Sequence, residues 1–246
     1  MEAEIVVLPD AEALAHAAAQ RFSALAREAA DSRHRFSVAL SGGSTPGALY
    51  RLLADEPYRG QVPWAEVHLF WGDERCVPPD DPGSSYRLAQ ETMIARVPIP
   101  PGNVHRVHGE LDPQEAAQVY ARDLGDFFRG SWPQFDLVLL GLGEDGHTAS
   151  LFPGSPALHE TARLAVAVEA HYQDRPAPRV TLTLPVLNAA RQVLFLVTGS
   201  AKAGIVQAVL EDPGRHLPAQ MVQPLAGQFT WLLDRAAASQ LTTPPT

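Results

Sequence analysis

Short apolar runs of strand length alternate along this chain with longer segments whose apolar residues recur at helical spacing. EIVVLP (4–9) reads as a strand, and DAEALAHAAAQRFSALAREA (10–29) as an Ala-rich helix with Asp10 at its start. The same alternation predicts strands over 36–43, 67–74, 135–143, 163–170, 179–184 and 192–199. Helices are expected over 44–54, 84–97, 113–128 and 200–210, and residues 211–246 read as a final strand or helix with a Pro/Thr tail.

FSVAL, VHLF, DLVLL and VLFLV are almost continuously apolar. A parallel sheet covered on both faces requires strands of that kind. RVTLTL instead alternates, which suits an edge or antiparallel addition. The expectation is an α/β fold: a doubly wound, mainly parallel sheet with helices on both faces and an added antiparallel or edge strand region. Such folds bind ligands beyond the carboxyl ends of their strands.

Composition narrows this picture. The 246 residues, 46% hydrophobic and 19% charged, describe one globular domain over 1–246. No apolar run reaches membrane-span length, and residues 1–30 lack a basic start followed by an apolar core, so neither an anchor nor a signal peptide is expected. A lone cysteine, Cys76, excludes an internal disulfide and a multi-cysteine zinc cage. It reads as a buried thiol in a protein of the reducing cytoplasm. The net charge of −9 without any basic cluster makes nucleic acid and anionic membrane poor partners. An anionic ligand would have to be met by a few local donors.

Candidate donors gather where the strands end. FSVAL is followed by Ser41-Gly42-Gly43-Ser44-Thr45-Pro46, in which accessible backbone N–H groups and a helix N-terminus suit a phosphate. A plain strand-to-helix turn, capped by Ser44 or Thr45, uses the same residue types. VLFLVTG leads to Lys202, the one lysine among nineteen Lys and Arg residues and a compact charge able to touch a single phosphate oxygen. Arg179, at the head of RVTLTL, is a further candidate cation. Asp73 and Glu74 follow VHLFW, where either could orient a sugar hydroxyl or cap a turn.

DLVLLGLGEDGH contains Gly141-x-Gly143-x-x-Gly146, the spacing of a dinucleotide-binding turn. That motif needs a helix directly after its third glycine. Pro153, Gly154 and Pro156 leave no room for one, so the glycines are read as a loop that lets backbone approach a ligand. His147 is then a general-base candidate, with Asp145 as the carboxylate that sets its tautomer and raises its basicity.

SGGSTP, WGDER, GLGEDGHTASLFPGS and VTGSAK, in this order from about residue 36 to 210, resemble the 6-phosphogluconolactonases of the pentose phosphate pathway. The resemblance implies a modified Rossmann-like sheet without a dinucleotide, related to glucosamine-6-phosphate deaminases. It implies hydrolysis of 6-phospho-D-glucono-1,5-lactone without metal or cofactor. His147 would be the general base, the Ser41–Ser44 loop, Arg179 and Lys202 the phosphate site, and Arg75 a substrate contact. The deaminases of this wider family carry a catalytic Glu five residues after the His; Phe152 stands there in this chain.

His147 would deprotonate water for attack on C1 and then protonate the departing ring oxygen, while loop N–H groups or Arg75 stabilise the oxyanion. With Asp73 and Asp145, these residues make up the catalytic candidates. GxSxG is absent, so no acyl-enzyme is indicated. The partner is a small sugar-phosphate lactone, and a monomer or weak homo-oligomer is expected. Two other readings are an amino-sugar phosphate deaminase, disfavoured by Phe152, and a non-catalytic sugar-phosphate sensor. The sensor reading is disfavoured by the lack of a basic patch and of a DNA-binding segment before residue 4.

Overall fold

The computed structural model describes residues 3–170 and 177–242, so the end of the expected Pro/Thr tail lies outside it. β1 (Glu4–Leu8) leads to α1 (Ala11–Arg33), β2 (Phe36–Leu40), α2 (Ser44–Leu53), the short α3 (Tyr58–Gln61) and β3 (Val67–Trp71). β4 (Asp73–Arg75), α4 (Ser85–Thr92), α5 (Pro113–Phe127) and β5 (Leu137–Leu140) follow. The last elements are β6 (Ala165–Glu169), β7 (Pro178–Leu182), α6 (Leu184–Asn188), β8 (Gln192–Val197), α7 (Ala203–Glu211) and β9 (Gln228–Asp234).

Six strands form a wholly parallel sheet in the order β1-β9-β8-β5-β2-β3. β2 is buried along its whole length, as its almost continuously apolar run demands. α1 begins at Asp10, whose Oδ1 accepts the Ala13 N–H at 2.8 Å. Its buried face (Leu14, Ala18, Phe22, Ala26, Ala29) follows helical spacing and packs near β2 and β9. α2 and α3 pack beside α1 on that face. Fully buried rings such as Phe22, Phe36 and Phe195 each contribute about 1.5–3 kcal/mol of transfer free energy.

The chain runs one way across the sheet from β2 to β3 and the other way from β5 through β8 to β9. Right-handed crossovers place those two sets of connections on opposite faces. β2 and β5 are neighbours, so the crevice beyond their carboxyl ends is the switch point of the sheet.

The alternation in RVTLTL has its counterpart in a second sheet, ordered β4-β7-β6 and antiparallel throughout, against which α5 packs. The expected strand over 67–74 is two strands, not one. At Gly72 the chain leaves the main sheet: its N–H bonds Leu40 O at 2.8 Å, and its carbonyl accepts from Leu182 of the small sheet at 2.8 Å. The expected helix over 84–97 stops at Thr92, and a short 3-10 turn follows. The helix over 200–210 begins as a 3-10 turn and becomes α-helical only at Ala203. Of the two readings for the C-terminal region, strand holds: β9 lies inside the sheet between β1 and β8.

Candidate active site

Two buried tyrosines fix the backbone where the strands open into the site. Tyr50 of α2 accepts the Ser41 N–H at 3.1 Å and donates to Ser41 O at 2.6 Å. Tyr120 of α5 does the same for Trp71, at 2.8 Å in both directions. Burial raises both phenols above their usual range, so they stay neutral hydroxyls able to donate and accept. Each satisfies a backbone pair that the sheet no longer serves.

Beyond those strand ends lies a cavity of about 350 Å³. Ser41, Gly42, Gly43, Asp73, Arg75, His147, Arg179 and Lys202, gathered from five separate stretches of sequence, all line it. Asp145 stands behind His147, with its Oδ1 2.5 Å from the imidazole Nδ1 and 3.1 Å from the His147 N–H. The side chains of Ser44 and Thr45 do not line the cavity. Neither caps α2, whose N-cap is Gly43 at φ 110°, because Thr45 Oγ1 is bonded to Thr198 Oγ1 at 2.8 Å instead. α2 therefore presents an N-terminus with no side-chain cap and no acidic residue in its first turn.

α4 also starts at the cavity, but its N-terminus is already occupied. Glu74 accepts from Ser85 N at 2.8 Å, Tyr86 N at 2.6 Å and Ser84 Oγ at 3.0 Å, while Ser84 Oγ accepts from Arg87 N. The Asp73-Glu74 pair thus divides, because successive residues of β4 point to opposite faces. Glu74 caps the helix, and burial raises its carboxyl despite four hydrogen bonds. Asp73, Arg75 and, across the β4–β7 register, Arg179 share the other face and line the cavity. Arg75 donates to Gly83 O at 2.6 Å, and neither it nor Lys202 has a carboxylate partner among the described residues.

The loop carrying His147 is tied down at each end. Gly143 N bonds His147 O at 2.8 Å, Thr148 Oγ1 bonds Gly141 O at 2.9 Å, and Ala219 N bonds Gly146 O at 3.0 Å. Gly143 lies so close beneath the imidazole that a Cβ there would collide with the ring and with Asp145 Oδ1. Gly146 takes φ +83°, a conformation side chains rarely adopt. Phe152 packs on the imidazole with ring centroids 4.7 Å apart. Burial lowers the His147 pKa from its usual value, and Asp145 offsets only part of that effect.

Sequence reasoning missed three lining residues. Leu142 and Ala149 belong to the His147 loop, and Ala149 takes φ +47°. Ser85, the first residue of α4, is buried with its Oγ unpartnered among the described residues. Only the fold of 73–85 onto Glu74 brings Ser85 in, and no local motif announces it. Cys76 is half-buried and outside the cavity, its thiol pushed up to about 11 by burial. Among the described residues no group of three His, Cys, Asp or Glu side chains is arranged for a metal, and no helix is long and apolar enough to cross a membrane.

Residues 9–231 match the family model described as glucosamine-6-phosphate isomerases/6-phosphogluconolactonase. The chain is 44% identical to the human 6-phosphogluconolactonase over 238 residues, covering 94% of this chain and 90% of that protein. It is equally 44% identical to 6-phosphogluconolactonase of a Synechocystis strain over 216 residues, 85% and 86% of the two chains. The solved 6-phosphogluconolactonase from Trypanosoma cruzi superposes with a TM-score of 0.87 at 30% identity, covering 98% of each chain.

Proposed function

The chain belongs to the family of glucosamine-6-phosphate isomerases and 6-phosphogluconolactonases, and we propose that its cavity is where 6-phospho-D-glucono-1,5-lactone is hydrolysed, with His147 as general base. Hydrolysis of that lactone is the activity of this chain, in common with relatives at 44% identity over most of its length. We place the reaction in the oxidative branch of the pentose phosphate pathway and in the cytoplasm, whose reducing milieu suits a lone cysteine.

One observation carries the site assignment. A cavity with an Asp145-oriented imidazole also holds Arg75 and Lys202, two cations without a carboxylate partner among the described residues. Nδ1–H donated to Asp145 leaves the basic lone pair on Nε2, and a lowered pKa keeps that base unprotonated at neutral pH. The uncapped α2 N-terminus, Arg179 and Lys202 supply charge for the phosphate. With the phosphate anchored, C1 at the other end of the lactone meets His147 and water in register. His147 takes the water proton as oxygen attacks C1 and returns a proton to the ring oxygen as the C1–O bond breaks. Arg75 is a donor available to the oxyanion, whereas the Gly143 N–H is already taken by His147 O.

Phe152 separates this chemistry from the deaminase reading, since an aromatic ring against His147 offers no second acid/base group. Lactone hydrolysis measured above the spontaneous background tests the assignment, with ammonia release from glucosamine 6-phosphate as the competing readout. His147→Ala is expected to lower kcat by roughly 10²–10⁴-fold. Turnover near wild type would remove His147 from the mechanism.

A further inference from the structure

Asp73 is held in an orientation that its ion pair does not account for. Arg179 Nη1 lies 3.8 Å from Asp73 Oδ2, longer than a direct charge-assisted hydrogen bond. The short contact on that oxygen comes from Ser150, whose Oγ–H donates to Oδ2 at 2.6 Å. Ser150 is itself fully buried, with its N–H bonded to Thr181 Oγ1 at 3.2 Å, and Thr181 donates onward to Leu182 O at 3.1 Å. The hydroxyl is therefore fixed from behind by the small sheet. Asp73 Oδ1 makes no hydrogen bond among the described residues, and Asp73 lines the cavity.

We propose that Ser150 is a positioning residue: it turns the Asp73 carboxylate so that Oδ1 is offered to a hydroxyl of the bound sugar lactone rather than to Arg179, a role that rests on this cavity being the lactone site. A carboxylate beside an arginine frequently forms the two-oxygen ion pair. In that pair Oδ1 would no longer accept from the sugar. By taking Oδ2, Ser150 holds the carboxylate off the guanidinium and keeps Oδ1 available. Its place in sequence, three residues after His147, means that one loop presents the base and sets the acceptor.

The test is a kinetic cycle of Ser150→Ala, Asp73→Ala and the double variant, each assayed on the lactone. Ser150→Ala is expected to raise KM about tenfold, the value of one hydrogen bond to a charged group, with a much smaller change in kcat. In the Asp73→Ala background the same change is expected to add nothing to the loss, because the group it positions is gone. A purely structural serine would lower stability in both backgrounds and leave KM alone. If Ser150→Ala does not fold, Ser150→Cys, nearly isosteric with a weak donor, is read in its place. Wild-type turnover with KM shifted less than about twofold by Ser150→Ala, or additive losses in the cycle, would overturn the role of Ser150 alone. Absence of wild-type turnover above background would remove the lactone site and this role together.

Discussion

Arg75 and Arg179 stand directly opposite one another across the β4–β7 pair, with both side chains toward the same cavity. Like charges facing each other across two strands are unfavourable, and an anion bound between them relieves that repulsion. The product, 6-phosphogluconate, at 100 times its Kd is expected to stabilise the fold by about 2.7 kcal/mol, raising Tm by roughly 5–10 °C. Arg75→Met and Lys202→Ala should keep a folded baseline and lose most of that shift in differential scanning calorimetry. An undiminished shift in both variants would place the phosphate elsewhere.

With His147 as the proposed general base, the His147–Asp145 pair is expected to set the pH dependence of the reaction. Burial is the largest influence on His147 and lowers its pKa, so the acid limb of kcat/KM is expected below 6.5. Activity should be full above that value and fall as the base takes a proton. Asp145→Asn removes the charge and the carboxylate hydrogen bond that pull the pKa upward most, leaving the smaller influence of Asp73, so the limb should move to still lower pH. Loss of the Nδ1 anchor should meanwhile lower kcat, by up to the roughly 10²–10⁴-fold that general-base catalysis supplies. A limb that moves upward in this variant would mean Asp145 does not act through the imidazole.

The layered α/β architecture was legible because buried parallel strands are nearly continuously apolar, as β2, β5 and β8 are. The candidate site was legible wherever one local stretch carried residues that reach the cavity: His147, with Asp145 behind it, within a turn, or Lys202 after a strand. What escaped notice depends on long-range pairing. The sequence 67–75 shows no signal that Gly72 passes the chain from one sheet to another, because that break is made by Leu40 and Leu182. Once β4 is a separate strand, its period of two sends Asp73 and Arg75 into the cavity and Glu74 under α4. Ser150 and Ser85 were invisible for the same reason, since Asp73 and Glu74 of β4 hold the Ser150 hydroxyl and the Ser85 N–H from another element.

The glycines of GLGEDGH have separate physical roles, and Gly143 gives the sharpest test. Its missing side chain makes room for the imidazole and for Asp145 Oδ1. Gly143→Ala is expected to fold, because the turn can shift locally, but to displace His147 from the attacking water. A displacement of about 1 Å costs on the order of 10²-fold in rate. The expected pattern is therefore a large loss in kcat with 6-phosphogluconate binding nearly retained, measured by calorimetric titration. Weakened product binding with kcat intact would instead make the turn a phosphate cradle.

Outside the cavity lining, His68 of β3 is expected to make fold stability sensitive to acid. Its Nδ1 lies 3.1 Å from His105 Nε2, and its ring packs 4.7 Å from that of Phe127. Burial, then the neighbouring His105 and Arg35, lowers its pKa from 6.5 to about 4. His105 is lowered by burial as well, so both rings are neutral in the native protein near pH 7. The unfolded chain binds protons on these rings at a higher pH than the folded one does. Stability is therefore complete above about pH 6.5 and is lost progressively as pH falls toward 4. Protonating the ring that accepts in the His68–His105 hydrogen bond also removes that acceptor and sets two donors against each other. Urea midpoints measured between pH 7.5 and 4.5 should decline in the wild type and decline less in His68→Phe, which keeps an aromatic ring against Phe127 but takes up no proton. Parallel declines in the two proteins would assign the acid sensitivity to other groups.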